Sequence, residues 1–598
     1  MKMNSTSYHR ICLFVLACIF LALNACKRDE PLFKGDKRIY SNKADSAMSY
    51  VGKNRLKISF TAPDTSIVNA TIFWNDRKDS LAIPISKTAD TDTVSTLIEP
   101  LDEGDYVFEI ITSDAKGHRS IPVKVSGKVY GSQYIQSLAN RPIRDIFYED
   151  GAAVILWEHA APAEVTTEVT YTDVDNVEHK KQVPAVADST KLLNLKPETL
   201  ATAIQYHTAY VPDLAIDTFF ADSKTQTVIT GNLKNLANAK NILFGSLISF
   251  GRSGVTDGVI YDGSPNGIYT DFCNGEFNVG QATWGPSRWS ITGPSDFNEV
   301  NAVINWSKQQ YDKVMAMLIV GPNNYMPSWF TTGNFTPEEM DVMLKNLITE
   351  IMNSNDNKSK VDVWCVANEL FNEDGTYRTM KWNDMGWEED ASGLTGNDQI
   401  NLKHPVFVGK AFQYCRELTN ALLELRDYGI ENNDPQNPFL FKYKAFYQLV
   451  KHLQATNRPL DVVGIQSHIM IGKGTAVGTA ANMNADVPAQ GYDGFKQAIK
   501  RYKESGLDVY LTELDIVSLL KSGQPQPWTA ALATQQKTDY YNIIKAAVES
   551  GVNLISLWGA RDNNDIGWRL DQSPLLLDQY YHRKPAYYGV QKALFDLK

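Results

Sequence analysis

Cysteine is scarce in this chain, with six in 598 residues, and none of them stands at the spacing of a zinc or iron–sulfur ligand set. The nine histidines include no pair at ligand spacing that repeats on one face, and the loops lack a glycine-rich phosphate cradle. Neither a metal nor a nucleotide cofactor is therefore expected. Positive charge is also in deficit: 58 Lys and Arg face 69 Asp and Glu, a net charge of −11 with no basic patch, which argues against a nucleic-acid partner. The apolar stretch at 11–23 has 13 residues, too short to span a bilayer. What remains is ordinary globular composition, and the aromatic share of 11% suits stacking on flat apolar ligand faces. At this length two to four domains are expected.

The first 26 residues read as a processing signal: Lys2, His9 and Arg10 precede the apolar stretch, which ends in Leu23-Asn24-Ala25-Cys26. This ending looks like a bacterial lipobox, although Asn24 is not the usual small residue. The likeness implies that Cys26 is lipidated and that acyl chains hold the protein to a membrane. An exported lipoprotein of the cell envelope is expected, facing the surface or the periplasm, with simple secretion as the alternative. Three cysteines then remain, Cys273, Cys365 and Cys415, an odd number expected as buried free thiols.

From about residue 40 to 230 the texture is β. Runs at 55–60, 70–74 and 106–111 alternate apolar with polar residues, as strands with one buried face do, and turn clusters such as Glu103-Gly104-Asp105 separate them. The order returns about a hundred residues later in runs at 153–157, 168–171 and 203–207. Two tandem β-sandwich modules, fibronectin-III-like or immunoglobulin-like, are expected to meet near 131–144. The region is similar to an uncharacterised N-terminal region of Bacteroidetes-type lipoproteins, and serves as a spacer or as a carbohydrate- or protein-binding part. After Asn232 strands alternate with amphipathic helices. Thr336-Pro-Glu-Glu339 opens one helix with a hydroxyl cap, an early proline and a carboxylate three residues on. Candidate strands at 241–250, 275–281, 313–320, 361–367, 421–427, 462–468, 509–513 and 552–558 suit a (β/α)₈ TIM barrel. The expected layout is a signal at 1–26, a tether at 27–40, modules at 41–131 and 132–232, and the barrel at 233–598.

Glu369 and Glu513 each terminate an apolar run. A glutamate so placed is ordinarily a loop contact or an ion pair. Two of them at different strand ends of one barrel also suit glycosidic cleavage, which needs an acid at the leaving oxygen and a second carboxylate across the anomeric carbon. The surrounding text makes the likeness specific. Val366-Ala-Asn-Glu-Leu-Phe-Asn-Glu-Asp-Gly-Thr-Tyr-Arg378 and Leu511-Thr-Glu-Leu-Asp515 are similar to the acid/base and nucleophile segments of glycoside hydrolase family 10, the endo-1,4-β-xylanases. Gly464-Ile-Gln-Ser-His468, Trp558-Gly-Ala-Arg-Asp562 with Trp568, Pro574-Leu-Leu-Leu-Asp578 and Lys584-Pro-Ala-Tyr587 follow the family order.

The resemblance implies that Glu369 is the acid/base, its carboxyl raised by burial beside Glu513, and that Glu513 is the nucleophile of a double displacement. It implies that His468, held by Asp515, orients Glu513 and keeps it ionised. Asn368 would bond the sugar 2-hydroxyl, and Gln466, Trp558 and Trp568 would line the site. On the glycone side the text departs from the family. Its Glu-Asn pair after the second strand is missing, leaving Arg288 and Trp289 as matches to the family Lys and Trp, with Gln281 restoring some polarity. The Trp-His pair after the third strand is absent, although Pro327-Ser-Trp329 survives and Asn323 or Asn324 stands nearby. The usual Asn-Asp-Tyr after the fifth strand reads Arg426-Asp427-Tyr428. Lost bonds to sugar hydroxyls change discrimination strongly, so decorated xylan or another β-linked polymer becomes a candidate substrate. An insertion at 387–403 is placed to reshape the aglycone side. The expected partner is a polysaccharide or oligosaccharide, and the expected state a monomer. Two alternatives stand beside this reading: a non-catalytic glycan-binding lipoprotein on a degenerate barrel, and a hydrolase of a different β-glycan.

Overall fold

The computed structural model describes residues 39–86, 92–248, 267–283, 289–290, 292, 295–474, 491–518, 527–562 and 572–598, with the backbone of four short strands, Gly254–Thr256, Val259–Tyr261, Leu520–Lys521 and Gln524–Pro525. Cys26, Arg288 and Trp568 lie outside the described residues.

Alternation of apolar and polar residues builds the N-terminal region. In Leu56–Ala62 every second residue is buried, so one face of the strand enters a core. Asp45–Val51, Leu56–Ala62 and Asp92–Ile98 form a three-stranded antiparallel sheet. Asp79–Pro84, Ile67–Trp74, Gly104–Asp114 and Val123–Val129 form the four-stranded sheet beside it. The pattern then repeats. Ser189–Leu192, Ala152–Trp157 and Ile143–Glu149 make three strands. Glu178–Pro184, Glu164–Thr172, Ala201–Tyr210 and Lys224–Ile229 make four, with the two-residue Phe219–Phe220 added. Each pair of sheets closes over its own apolar core, one around Phe60, Ile72 and Phe108, the other around Ile155, Trp157 and Tyr206. The region is a pair of β-sandwiches of one topology, as the repeating texture predicts.

The C-terminal region is a closed barrel of eight parallel strands: β1 Leu243–Leu247, β2 Val279–Thr283, β3 Lys313–Val320, β4 Val363–Asn368, β5 Leu422–Asp427, β6 Val462–Ile465, β7 Asp508–Val517 and β8 Leu554–Leu557. Each pairs with its sequence neighbours, and β8 pairs back onto β1 to close the ring. Seven of the eight residues of β3 are buried, because a parallel strand is covered by helices outside and packed side chains inside. The covering helices are α1 Ile268–Glu276, α2 Asn298–Gln310, α3 Pro337–Asn353, α4 Val406–Leu418, α5 Leu440–Ala455, α6 Asp493–Glu504, α7 Ala530–Glu549 and α8 Pro585–Asp596. Helix α3 carries the capping box read from its sequence, with Thr336 accepting from the Glu339 N–H and Glu339 from the Thr336 N–H.

Three boundaries differ from expectation. Residues 275 and 276 close α1 rather than open β2, since Glu276 is drawn to Arg583 and Tyr587. The sixth strand breaks at Ser467, which takes a left-handed backbone (φ 62), and resumes as His468–Met470. Strand β7 runs on past Glu513 because that resumed segment pairs with it, His468 opposite Asp515. Cys273, Cys365 and Cys415 are free and buried.

The second sandwich rests on the barrel flank. Lys537 of α7 reaches both oxygens of Asp145 at 2.7 Å, and the Phe147 and Tyr588 rings lie 4.6 Å apart. The helix Leu233–Asn238 leads into the barrel, capped by Asn232 and tied by Gln591 to the Gly231 carbonyl at 2.8 Å.

Candidate active site

Strands of a parallel barrel direct side chains into the ring in alternation, and the last inward residues at their C-terminal ends share one mouth. Here those ends carry Asn368 and Glu369 (β4), Arg426 and Asp427 (β5), Gln466 and His468 (β6), Glu513 (β7) and Trp558 (β8). Glu369 is turned out of its strand by a left-handed backbone (φ 54), a conformation costing roughly 1–2 kcal/mol for a non-glycine residue. Its N–H donates to the Arg426 carbonyl at 3.1 Å. Such strain at a strand end marks a functional position.

One amide joins the residues of β4 and β6. Gln466 Nε2 lies 3.0 Å from Asn368 Oδ1 and 3.2 Å from Glu369 Oε1, while the Gln466 carbonyl accepts from the Glu513 N–H at 3.1 Å. Glu369 Oε2 stands 3.4 Å from Arg378, which also donates to the Tyr428 hydroxyl at 3.0 Å. Burial pushes the Glu369 carboxyl above the ordinary carboxylate range. Arg378 opposes that shift, and the negative charges of Asp427 and Glu513 add to it. A carboxyl raised in this way is suited to give a proton to a leaving oxygen.

Glu513 is surrounded differently. His468 Nε2 is 3.3 Å from its Oε2, and Arg426 Nη1 is 3.0 Å from its Oε1. The other imidazole nitrogen, His468 Nδ1, lies 3.1 Å from Asp515 Oδ2. Two carboxyls thus sit in one mouth, one held by burial and the other met by a guanidinium and an imidazole. Unequal environments of this kind separate an acid from a nucleophile.

The remaining expected residues divide. Trp558 stands edge-on to His468 with ring centroids 6.5 Å apart. Trp289 is buried against Trp329, at 4.8 Å, and near Phe330, and its carbonyl accepts from Trp329 Nε1 at 3.3 Å. Trp329 is thus the more open ring of that pair, with Trp289 behind it. Asn323 accepts from the Lys381 N–H at 2.7 Å through its side-chain oxygen.

Other functional groups lay unassigned in the sequence. Tyr325 follows β3 and is partly exposed, and its phenol is pushed up to about 12 by desolvation and by the charges of Glu369 and Glu513. Asp427 forms an ion pair with Lys442 at 2.7 Å and accepts from the Phe371 N–H at 3.3 Å, anchoring the segment after Glu369. Glu424 and Arg426 stand two apart on β5, a spacing that puts both on one face. That period-two pair of charges inside an apolar run is the signal that marks them.

One His/Asp group in the described residues has metal-like proximity: Asp390, His404 and His452, which bind the insertion after β4 to α5. Its atoms are already engaged with one another. His404 Nε2 meets Asp390 at 2.9 Å and Nδ1 meets the Tyr377 hydroxyl at 2.7 Å; His452 Nδ1 accepts from the Ala391 N–H at 3.0 Å and Nε2 meets Glu388 at 3.0 Å. A lone pair taken by a backbone N–H is not free for a cation, and the cluster reads as a polar clasp. Burial lowers the His404 imidazole to about 4.

The chain is similar to known proteins. A profile described as Glycosyl hydrolase family 10 matches residues 286–593, and one described as a domain of unknown function matches 27–219. Endo-1,4-beta-xylanase A of Phanerodontia chrysosporium is 30% identical over 60% of this chain and 76% of its own length. Endo-1,4-beta-xylanase C of the same organism is 28% identical over 54% of this chain and 71% of its own. Among solved structures, Penicillium canescens endo-1,4-beta-xylanase XylE aligns over 61% of this chain and 97% of its own with 21% identity and a TM-score of 0.47.

Proposed function

Since the chain belongs to glycoside hydrolase family 10 and is a glycoside hydrolase of the endo-1,4-β-xylanase type, we propose that it cleaves xylan or a related β-linked plant polysaccharide by double displacement with retention. The observation that supports this reading best is the unequal treatment of two carboxyls at one barrel mouth. Glu369, raised by burial, gives its proton to the glycosidic oxygen. Glu513, oriented by His468 and Arg426, bonds to the anomeric carbon and forms a glycosyl–enzyme ester. Glu369, now ionised, takes a proton from the water that hydrolyses the ester. Asn368, held by Gln466, meets the sugar 2-hydroxyl, and Trp558 offers it an apolar face.

The glycone side sets the preference among β-glycans. With the family's Trp-His pair after β3 absent from Leu318-Ile-Val-Gly-Pro-Asn-Asn-Tyr325, its hydrogen-bonding pattern differs from that of the resembling family segments. Substituted xylans are the candidate substrates that this change favours. Reducing-sugar release from a panel of polysaccharides, by the wild type beside Glu513→Ala, tests the reading. Release by the wild type alone supports it. Binding of xylan by both proteins with cleavage by neither would favour a glycan-binding protein instead. The text around Cys26 supports an exported lipoprotein of the cell envelope, and the proposed state is a monomer. Acyl labelling that is unaffected by Cys26→Ala would contradict the anchor.

A further inference from the structure

Glu424 and Arg426 share the inward face of β5, and both side chains are completely buried. Charged groups in that state must be paired to be tolerated. The guanidinium is held as a fork, with Nε 2.5 Å from Glu424 Oε1 and Nη2 2.9 Å from Oε2. Its third face is turned to the mouth, where Nη1 stands 3.0 Å from Glu513 Oε1. The Gln281 amide, with its nitrogen towards the Thr512 carbonyl, accepts from the same Nη1 at 3.1 Å. The barrel makes room for the pair: a Cβ on Gly464 of β6 would stand 1.8 Å from Glu424 Oε1. The resembling family segment carries asparagine where this chain has Arg426, so the arrangement departs from that segment.

We infer that Glu424 and Arg426 form a positioning pair that fixes Glu513 by its Oε1 and favours its departure as a carboxylate in the second displacement. The inference rests on the double-displacement reading above. In the first displacement a Glu513 oxygen bonds to the anomeric carbon, the bond from that carbon to the departing sugar breaks, and the departing oxygen takes the proton of Glu369. Glu513 loses its charge in the ester, and Glu424 remains to balance the guanidinium. In the second displacement water bonds to the anomeric carbon, its proton passes to Glu369, and the electron pair of the ester C–O bond returns to Glu513 beside Arg426. The pair is buried away from sugar, so it acts through Glu513. The other titratable groups whose charge bears on Glu513 are His468 of β6, Glu369 and Cys365 of the β4 segment, and Tyr325 after β3.

The double variant Glu424→Gln/Arg426→Asn removes both charges together and orphans neither, while Arg426→Lys keeps the cation without the fork. An activated aryl β-xylobioside makes the second displacement limiting, because its leaving group needs little protonation. The double variant is expected to lose about tenfold in kcat with a smaller change in kcat/KM, and to show a burst of released aryl alcohol. The acidic limb of its kcat/KM profile is expected to move up by about one pH unit, and Arg426→Lys to return part of that shift. Equal loss in kcat and kcat/KM with an unmoved acidic limb would overturn the inference and leave a packing role. If the double variant does not fold, the acidic limb of Arg426→Lys decides: it lies above the wild-type limb if the fork matters, and coincides with it if not. Product configuration from the wild type tests the parent reading separately, since inversion would sink double displacement whatever the variants do.

Discussion

The surroundings of Glu369 have a direct chemical consequence. Burial raises its carboxyl, and Arg378 at 3.4 Å is the main influence holding it back. Replacing Arg378 by Gln removes a cation and so raises Glu369 further. The alkaline limb of kcat/KM, which reports loss of the acid's proton, is then expected to move to higher pH, and an unmoved or lowered limb would contradict the assignment. Glu431 offers a test by stability. It is fully buried, both carboxylate oxygens lack a hydrogen-bond partner among the described residues, and burial pushes it up to about 7. An unfolded glutamate titrates near about 4.3. The folded state therefore holds this proton more tightly, so its contribution is complete at low pH and is lost as pH rises through the window that ends at about 7. Glu431→Gln has no such dependence. Its advantage over the wild type in urea melts is expected to grow between pH 4.5 and 7 and then level, by on the order of a few kcal/mol. A pH-independent difference would show that Glu431 is not buried as described.

Among elements, the segment after β4 depends on an ion pair that its own sequence does not contain. Asp427 of β5 holds the Phe371 N–H, and Lys442 of α5 neutralises Asp427 at 2.7 Å with both side chains fully buried. Lys442→Met leaves a buried carboxylate unpaired, a loss expected at about 3–5 kcal/mol. Chemical denaturation checks the figure, and a change below about 1 kcal/mol would place Lys442 outside the core network. Periodicity reveals elements well and such pairs poorly. Helix α3 was legible from Thr336, Pro337 and Glu339 because a capping box is local, as was the placing of Glu369 at a strand end, whereas Glu513 lies within β7, which runs on to Val517. The start of β2 was not, since Glu276 is fixed by Arg583 and Tyr587, some three hundred residues away. The break in the sixth strand depends on one left-handed residue, Ser467, whose type gives no warning.

At the scale of the molecule, the sandwich region and the barrel each have an apolar core, and the contacts across their boundary include Lys537 with Asp145, Phe147 with Tyr588, Gln591 with Gly231, and Leu200 and Ile229 against the barrel core. A chain beginning at Gly231 keeps the Asn232 cap and the Gln591 bond. It is expected to turn over soluble oligosaccharides at nearly the full rate while melting slightly lower. A large loss of activity with the barrel still folded would mean that the modules shape the site. The tandem sandwiches were visible as a repeated order of strands because alternation is a property of each strand alone. Which barrel helices the second sandwich would meet was not, because contacts between single residues far apart in the chain leave no periodic trace.

The central claim is that Glu513 forms a covalent bond to the sugar. Incubation with an activated 2-deoxy-2-fluoro β-xylobioside slows both displacements and traps that bond, and intact mass followed by peptide mapping locates it. The account predicts a single fluoroxylobiosyl adduct on the peptide containing Glu513, absent in Glu513→Ala. An adduct on another residue, or none from an enzyme that cleaves the parent glycoside, would contradict it.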